Sequence, residues 1–350
     1  MESLSKRISR RLPVAWILPV LAILCSAPSQ AAKGQTFTVK DLGTLPGGFS
    51  SSASGINDRG RIVGESATNG FFQPNAFLFQ NGVMADLGTL PGFNPFSEAS
   101  GINNHGQIAG DSGAIALFEF AVLFSNGAIV QIPTLPGGSN NNNKALAIND
   151  HGQIVGVATA ASGSGHAFLY QNGAITDLGT LPGGTSSRAN AINEHGQIVG
   201  ESTTANGQTH AFLYENGVMT DLGTLPGGTS SSATDINKHG EIVGESTTAN
   251  GATHAFLYQN GFMIDLGTIP GDASSQAAAI NDAGQIVGTS FTANLSPHAF
   301  LFDNGVMIGL PTLPGGGSST ANGINNHGEI VGSSNGTNPF NHATLWTPAH

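Results

Sequence analysis

One phrase, Asp-Leu-Gly-Thr-Leu-Pro-Gly-Gly or a close variant, begins at Asp41, Asp86, Gln131, Asp177, Asp221, Asp265 and Gly309, so the chain repeats itself every 44 to 46 residues. A fixed period of that length means that one supersecondary unit is copied and stacked, because a unit of this size cannot bury its apolar face alone. The copies occupy residues 36–346 and leave no space for a second domain.

Four short apolar runs lie inside each period. In the fifth copy they are Ala233 to Ile236 (run a), Glu241 to Ser246 (run b), His254 to Tyr258 (run c) and Phe262 to Ile269 (run d). Each has the length and residue types of a strand, and none carries an i, i+3, i+4 stripe long enough for a helix. Between c and d stands Asn-Gly, at Asn81, Asn126, Asn172, Asn216, Asn260 and Asn304. That pair favours the type I′ turn, whose positive φ angles match strand twist. Between a and b stands Ile-Asn-x-x-Gly, as in Ile236 to Gly240, which predicts a short hairpin with glycine in the left-handed region. Pro-Gly between d and the next a suits a type II turn. Four antiparallel strands every ~44 residues is the period of a propeller blade.

The two ends supply a check. Thr36 to Leu45 reads as a d strand with no a, b or c before it, and His342 to Trp346 reads as a c strand with no d after it. Pairing them completes a seventh blade and removes the exposed edges of an open array. The predicted fold is therefore all-β: a single seven-bladed β-propeller of ~44-residue, four-stranded blades, closed by pairing the N-terminal d strand with the C-terminal a-b-c strands. The alternative is an open β-solenoid, which would not need matched ends.

Run c begins with His166-Ala167-Phe168, His210-Ala211-Phe212, His254-Ala255-Phe256 and His298-Ala299-Phe300, with departures at Asn75-Ala76-Phe77, Phe120-Ala121-Val122 and His342-Ala343-Thr344. Together with the recurring Asn-x-x-Gly, Ile-Val-Gly and Asp-Leu-Gly-Thr elements, this order resembles the bacterial extracellular HAF repeat family over residues 36–346. The resemblance implies an exported repeat protein and brings no activity with it.

Lys6, Arg7, Arg10 and Arg11 precede the apolar stretch Pro13 to Leu24, and Ser29-Gln30-Ala31 offers a small-residue cleavage site. Residues 1–31 are thus expected to be a signal peptide, the apolar core being short for an anchor. Removing them takes away Cys25, the only cysteine, and leaves seven cations against twenty-one acids, a formal charge of −14. A chain of that charge is not a phosphate-backbone binder, so nucleic acid is excluded as a partner. The mature protein is expected to be secreted or periplasmic, monomeric and without a membrane span.

Several constellations look chemical. The run c histidines stand one per blade, whereas zinc needs ligands that converge, so they are expected to tie strand c to a neighbour. A second set, His105, His151, His195, His239 and His327, shares its position with Arg59 and Ala283 and reads as a solvated turn site. Asn57-Asp58, Asn149-Asp150 and Asn281-Asp282 faintly suggest calcium loops, but Lys238 in the Asp slot rules out a repeated calcium site. Asn57, Asn103, Asn149, Asn193, Asn237, Asn281 and Asn325 never vary, which suits an Asx-type bond to their own backbone. No nucleophile elbow and no phosphate loop occurs, so no catalytic residue, metal or cofactor is assigned.

Function should lie where the copies differ. The a–b and c–d turns share one rim and are nearly identical; the b–c and d–a loops share the other and vary. That variable rim carries Phe49, Phe71, Phe72, Phe93, Phe96 and Phe340, from blades seven, one and two, with Asn140 to Asn143 beside them. These phenylalanines are the candidate surface for a glycan or protein ligand, as against simple plugging of the closure. The leading expectation is an exported, non-catalytic binding scaffold. A secreted propeller enzyme acting on glycans is one alternative, although Glu98, Asp111, Glu119 and Asp272 are expected to be scattered. A purely structural surface or matrix protein is the other.

Overall fold

A computed structural model describes residues 35–349 apart from 69–73, 92–94 and 115–117. The expected signal peptide lies outside this range. The 28 described strands form seven four-stranded antiparallel sheets arranged as a ring, a seven-bladed β-propeller. Blades one to six span residues 51–86, 95–131, 144–177, 187–223, 231–267 and 274–309, and blade seven joins 319–348 to the first strand, Phe37–Asp41. The closure is as expected: Phe37–Asp41 pairs with Asn341–Pro348, Val39 opposite Trp346 and Asp41 opposite Thr344. Among the described residues no helix is long and apolar enough to cross a membrane.

In blade five the four strands are Ser231–Ile236, Ile242–Thr247, Thr253–Gln259 and Phe262–Gly267. Strand d is shorter than its apolar run because Gly267 turns the chain at φ +70° toward the Pro-Gly turn. The turn chemistry agrees with the residues that specify it. Each c–d asparagine has φ of 50–53° and each following glycine 77–82°, the type I′ pattern. In the d–a turn Gly48 N donates to Leu45 O at 2.9 Å with Gly47 at φ +81°, the type II pattern. A Cβ on Gly48 would lie 2.0 Å from the Ala67 carbonyl oxygen, so the second glycine of the pair is also fixed.

Doublets in the sequence now have a reason. Both faces of a blade press on a neighbour, so consecutive residues of the inner strands are buried on opposite sides. Ile198 packs toward blade three and Val199 toward blade five; Ala211 and Phe212 divide in the same way. Small Ala on one face and large Phe on the other let adjacent sheets interlock. Phe77, Phe168, Phe212, Phe256 and Phe300 are fully buried, each contributing roughly 1.5–3 kcal/mol by leaving water.

Blade seven carries Thr344 where the others carry Phe or Val, and Trp346 takes up the space. Its ring is fully buried, and Nε1 donates to Pro311 O at 2.7 Å. Trp346→Ala is therefore expected to cost about 3–5 kcal/mol in urea unfolding. Phe262→Ala, on a ring 70% exposed on the outer strand, should change stability by less than about 0.5 kcal/mol.

Candidate functional site

The channel has two mouths of different character. At the a–b turn mouth, each invariant asparagine does more than close its own turn. Asn193 Oδ1 accepts from His195 N and Gln197 N at 3.0 Å, the expected Asx-type bonds. Its Nδ2 then donates to Asn237 O of the next blade at 3.1 Å. The same bond links Asn57 to Asn103, Asn103 to Asn149, Asn149 to Asn193, Asn237 to Asn281, Asn281 to Asn325 and Asn325 back to Asn57, at 2.9–3.2 Å. A closed ring of seven side-chain bonds results. Sequence reasoning missed the bridge, although seven-fold invariance beside a variable neighbour was a signal for it.

The neighbouring position forms a second, incomplete ring. Asn104, Asp150, Glu194, Asp282, Asn326 and Asp58 each accept from the backbone N–H of the corresponding residue in the preceding blade, at 2.7–3.2 Å. Lys238 has no acceptor and interrupts the ring, pairing instead with Asp282 at 3.0 Å. These carboxylates are thus engaged with backbone and lysine, not aimed at a common centre. Both rings line a cavity of about 450 Å³. Asp235, which sequence reasoning passed over, stands on the wall of strand a where other blades have Gly or Ala. Its carboxylate accepts from Ile236 N and, across the blade boundary, from Ile280 N, both at 2.8 Å. Burial raises its pKa to about 7 against the pull of those two bonds, and Asp282 adds to the rise.

Four of the five run c histidines tie strand c to strand d of their own blade, as expected. Nδ1 of His166, His210, His254 and His342 lies 2.8–2.9 Å from the strand d carboxylates of Asp177, Asp221, Asp265 and Asp41. Asn75 replaces histidine opposite Asp86 and keeps the bond. Strand d of blade six has Gly309 in the aspartate's place, and His298 turns to Asp272 in the d–a loop at 3.2 Å.

The variable rim holds the predicted aromatic sector in part. Phe49 and Phe340 meet across the closure with ring centroids 5.0 Å apart and planes at 59°. Phe96 is half-buried on strand a of blade two. Phe71, Phe72 and Phe93 lie outside the described residues. A second pair was not anticipated: Phe118 and Phe120 stack at 6.3 Å on strand c of blade two, with Phe118 51% exposed. Its signal was the loss of His-Ala-Phe in that copy. The asparagine run is partly structural, since Asn143 is buried and its Oδ1 accepts from Thr159 N.

The acids are not scattered as expected. Lys144 Nζ lies 2.8 Å from Glu119, 3.8 Å from Glu98 and 3.9 Å from Asp111, which gathers three of the four. Only Asp272 stands apart, with His298. Glu98 and Asp111 face each other across strands a and b, a register that places them together. Glu65 of blade one adjoins this group and lines a cleft of about 340 Å³ with Ser52, Ser333 and Asn341. Burial first, then the Glu98 charge, raises its pKa to about 7, while Lys144 opposes the rise.

No family model matches the chain, and no curated protein matches it either. Solved structures do. The β-propeller domain of the Trilobed protease from Pyrococcus furiosus, described as having an open velcro topology, aligns at 12% identity and TM-score 0.55, covering 85% of this chain and 94% of that one. A streptogramin B lyase aligns at 10% identity and TM-score 0.51, covering 89% and 98%. One prolyl endopeptidase structure aligns at 12% identity and TM-score 0.55, covering 87% of this chain and 49% of its own. Propellers of enzymes are thus among the neighbours, and likeness at this identity concerns the fold alone.

A raised Glu65 pKa stabilises the fold below the ordinary carboxylate range and is lost as a contribution while pH climbs from about 4.5 to about 7. Glu65→Gln should therefore raise Tm at pH above 7 and flatten the decline between those values. A thermal melt series across that range checks it, and parallel curves for both proteins would discard the assignment.

Proposed function

We propose that this chain is an exported, non-catalytic binding propeller whose ligand face is the variable rim at blades seven, one and two, and that its ligand is a glycan. The observation that carries this reading is the Phe49–Phe340 contact, which sets aromatic surface across the ring closure on the rim where the copies differ. A flat ring face suits the C–H face of a sugar, while serine hydroxyls and asparagine amides can pair with its hydroxyl groups. Ser50, Ser52 and Asn341 line the adjoining cleft and supply such groups. Export rests on the N-terminal segment and its cleavage motif.

The gathering of Glu98, Asp111 and Glu119 favours a second reading, a glycan-acting enzyme. Glycoside hydrolysis uses one carboxylic acid and one carboxylate held roughly 5–10 Å apart. Asp111 is almost wholly buried, which limits its reach to a substrate and places this reading second.

A glycan array probed with the mature chain, followed by calorimetry on the best hit, tests both. The Phe49→Ser, Phe96→Ser, Phe340→Ser triple variant is expected to bind at least about tenfold more weakly, a loss of about 1.4 kcal/mol, with its fold intact by circular dichroism. Undiminished binding would reject the aromatic sector. Turnover of the bound glycan, abolished by Glu119→Gln, would put the enzyme reading first.

A further inference from the structure

Six of the seven blade junctions share one latch. A serine opening strand a accepts from an alanine N–H in strand c of the preceding blade: Ser97 from Ala76, Ser187 from Ala167, Ser231 from Ala211, Ser275 from Ala255, Ser319 from Ala299 and Ser51 from Ala343, at 2.8–3.1 Å. At the junction of blades two and three Asn143 stands in the serine's place, and its backbone N–H donates instead to Glu119 O at 3.2 Å. Blade three also carries Ala158 where the other copies have a buried strand b serine. The Asn103–Asn149 bond and backbone bonds of Glu119 with Asn140 and Asn143 still cross this junction, but the serine latch is missing from it.

Charge replaces it. Glu98, Asp111 and Glu119 project from strands a, b and c of blade two on the face that carries Ala121, and that face packs on Ala145 and Ile148 of blade three. Lys144 enters from blade three and reaches all three carboxyl groups, Glu119 most closely. Three carboxyl groups against one ammonium leave excess negative charge that is open to water at Glu98 and increasingly shut from it toward Asp111. Asp111 lies deepest, 1% exposed, and its Oδ2 has no hydrogen-bond partner among the described residues. A carboxyl group so placed is costly as an anion and inexpensive as an acid.

We propose that Asp111, Glu119 and Lys144 form a proton-held latch between blades two and three, shut while Asp111 keeps its proton and loosened when the proton leaves. Burial is the main cause that raises the Asp111 pKa, to about 8; Glu98 and Glu119 push the same way and Lys144 opposes them. Lys144 is itself held charged by the surrounding carboxyl groups, its pKa raised despite burial. Glu65, from blade one, is the other acid facing the group and titrates toward its anion at lower pH. With the folded pKa of Asp111 above its unfolded value, the latch is strongest in acid and weakens as pH rises through about 8. The strands that carry Glu98 and Glu119 into the seam also carry Phe96, Phe118 and Phe120, so its loosening reaches the variable rim.

Hydrogen exchange followed by mass spectrometry at about pH 6 and about pH 9, corrected for intrinsic rates, reads the seam directly. Protection of Ile108–Ala114, Phe118–Ser125 and Lys144–Ile148 in the unaltered chain is expected to fall about tenfold more than that of Ser187–Ile192, where a serine latch remains. Asp111→Asn, which keeps a donor but cannot ionise, should erase the excess. Glu119→Gln should move its midpoint to lower pH, and it serves where Asp111→Asn does not fold. An unaltered chain without the excess, an Asp111→Asn protein that retains it, or a midpoint unmoved by Glu119→Gln overturns the latch.

Discussion

The ring depends on the side chain of one asparagine used seven times. Six of them accept two backbone N–H groups to shape their own turn, Asn149 accepts one from Gln153, and all seven also donate to a carbonyl of the next blade. Aspartate has no donor for the second task, and serine has no planar amide to serve both sides at once. The requirement is local to each blade, yet it is satisfied only if a neighbour stands at the right distance. The bond from Asn325 to Asn57 matches the other six although the residues are 268 apart in the chain. Closure is therefore no weaker at the inner rim than any ordinary junction, and each bond adds roughly 0.5–1.5 kcal/mol of net stability.

Much of this architecture was legible because turn chemistry is local. Asn-Gly and Pro-Gly determine their own φ angles, and the split blade follows from counting runs at each end. Lateral contacts were harder to read. A period of 44 residues states that Asn193 and Asn237 share an environment, but it does not state that one bonds the other. The acid group was hidden for a related reason. Glu98, Asp111 and Glu119 are distant in sequence, and only the register of strands a, b and c makes them neighbours. Aligning the copies would have exposed Lys144 as the residue at the Glu98 position one blade later, pointing back at those acids. The aromatic sector was legible as composition and became geometry only where Phe49 meets Phe340.

The two mouths differ because the ring imposes unequal constraints on them. At the a–b mouth, side chains and backbone of neighbouring blades bond one another, so the bridging asparagine does not vary while the residues after it do. There Asp, Asn and Glu can accept the same N–H bond, and Lys238 can instead pair with Asp282. On the far rim the blades are joined by separate serine latches, not by one continuous ring of side chains, and a change in one copy leaves the other latches in place. That freedom allowed blade two to lose its histidine, blade three to lose its serines and charge to collect at their junction. An ion group of this kind holds a seam less reliably than a neutral hydrogen bond, since desolvation opposes the attraction.

The outer circumference presents the opposite problem, because every strand d is an exposed edge able to pair with another chain. Val83, Val218, Phe262 and Val306 are exposed there and would add apolar attraction to that risk. The protection comes from the same aspartate that holds the run c histidine. Asp221 Oδ1 also accepts from Gly223 N at 2.7 Å, bending the strand where its pairing with strand c shifts register. Asp41, Asp86, Asp177 and Asp265 make the corresponding bond, so five blades carry a carboxylate and a bend on the outer edge. Short, kinked and negatively charged edges repel their like in a chain that is acidic as a whole. In those five blades a single aspartate thus fixes strand c to strand d and also keeps strand d from finding a partner outside the ring.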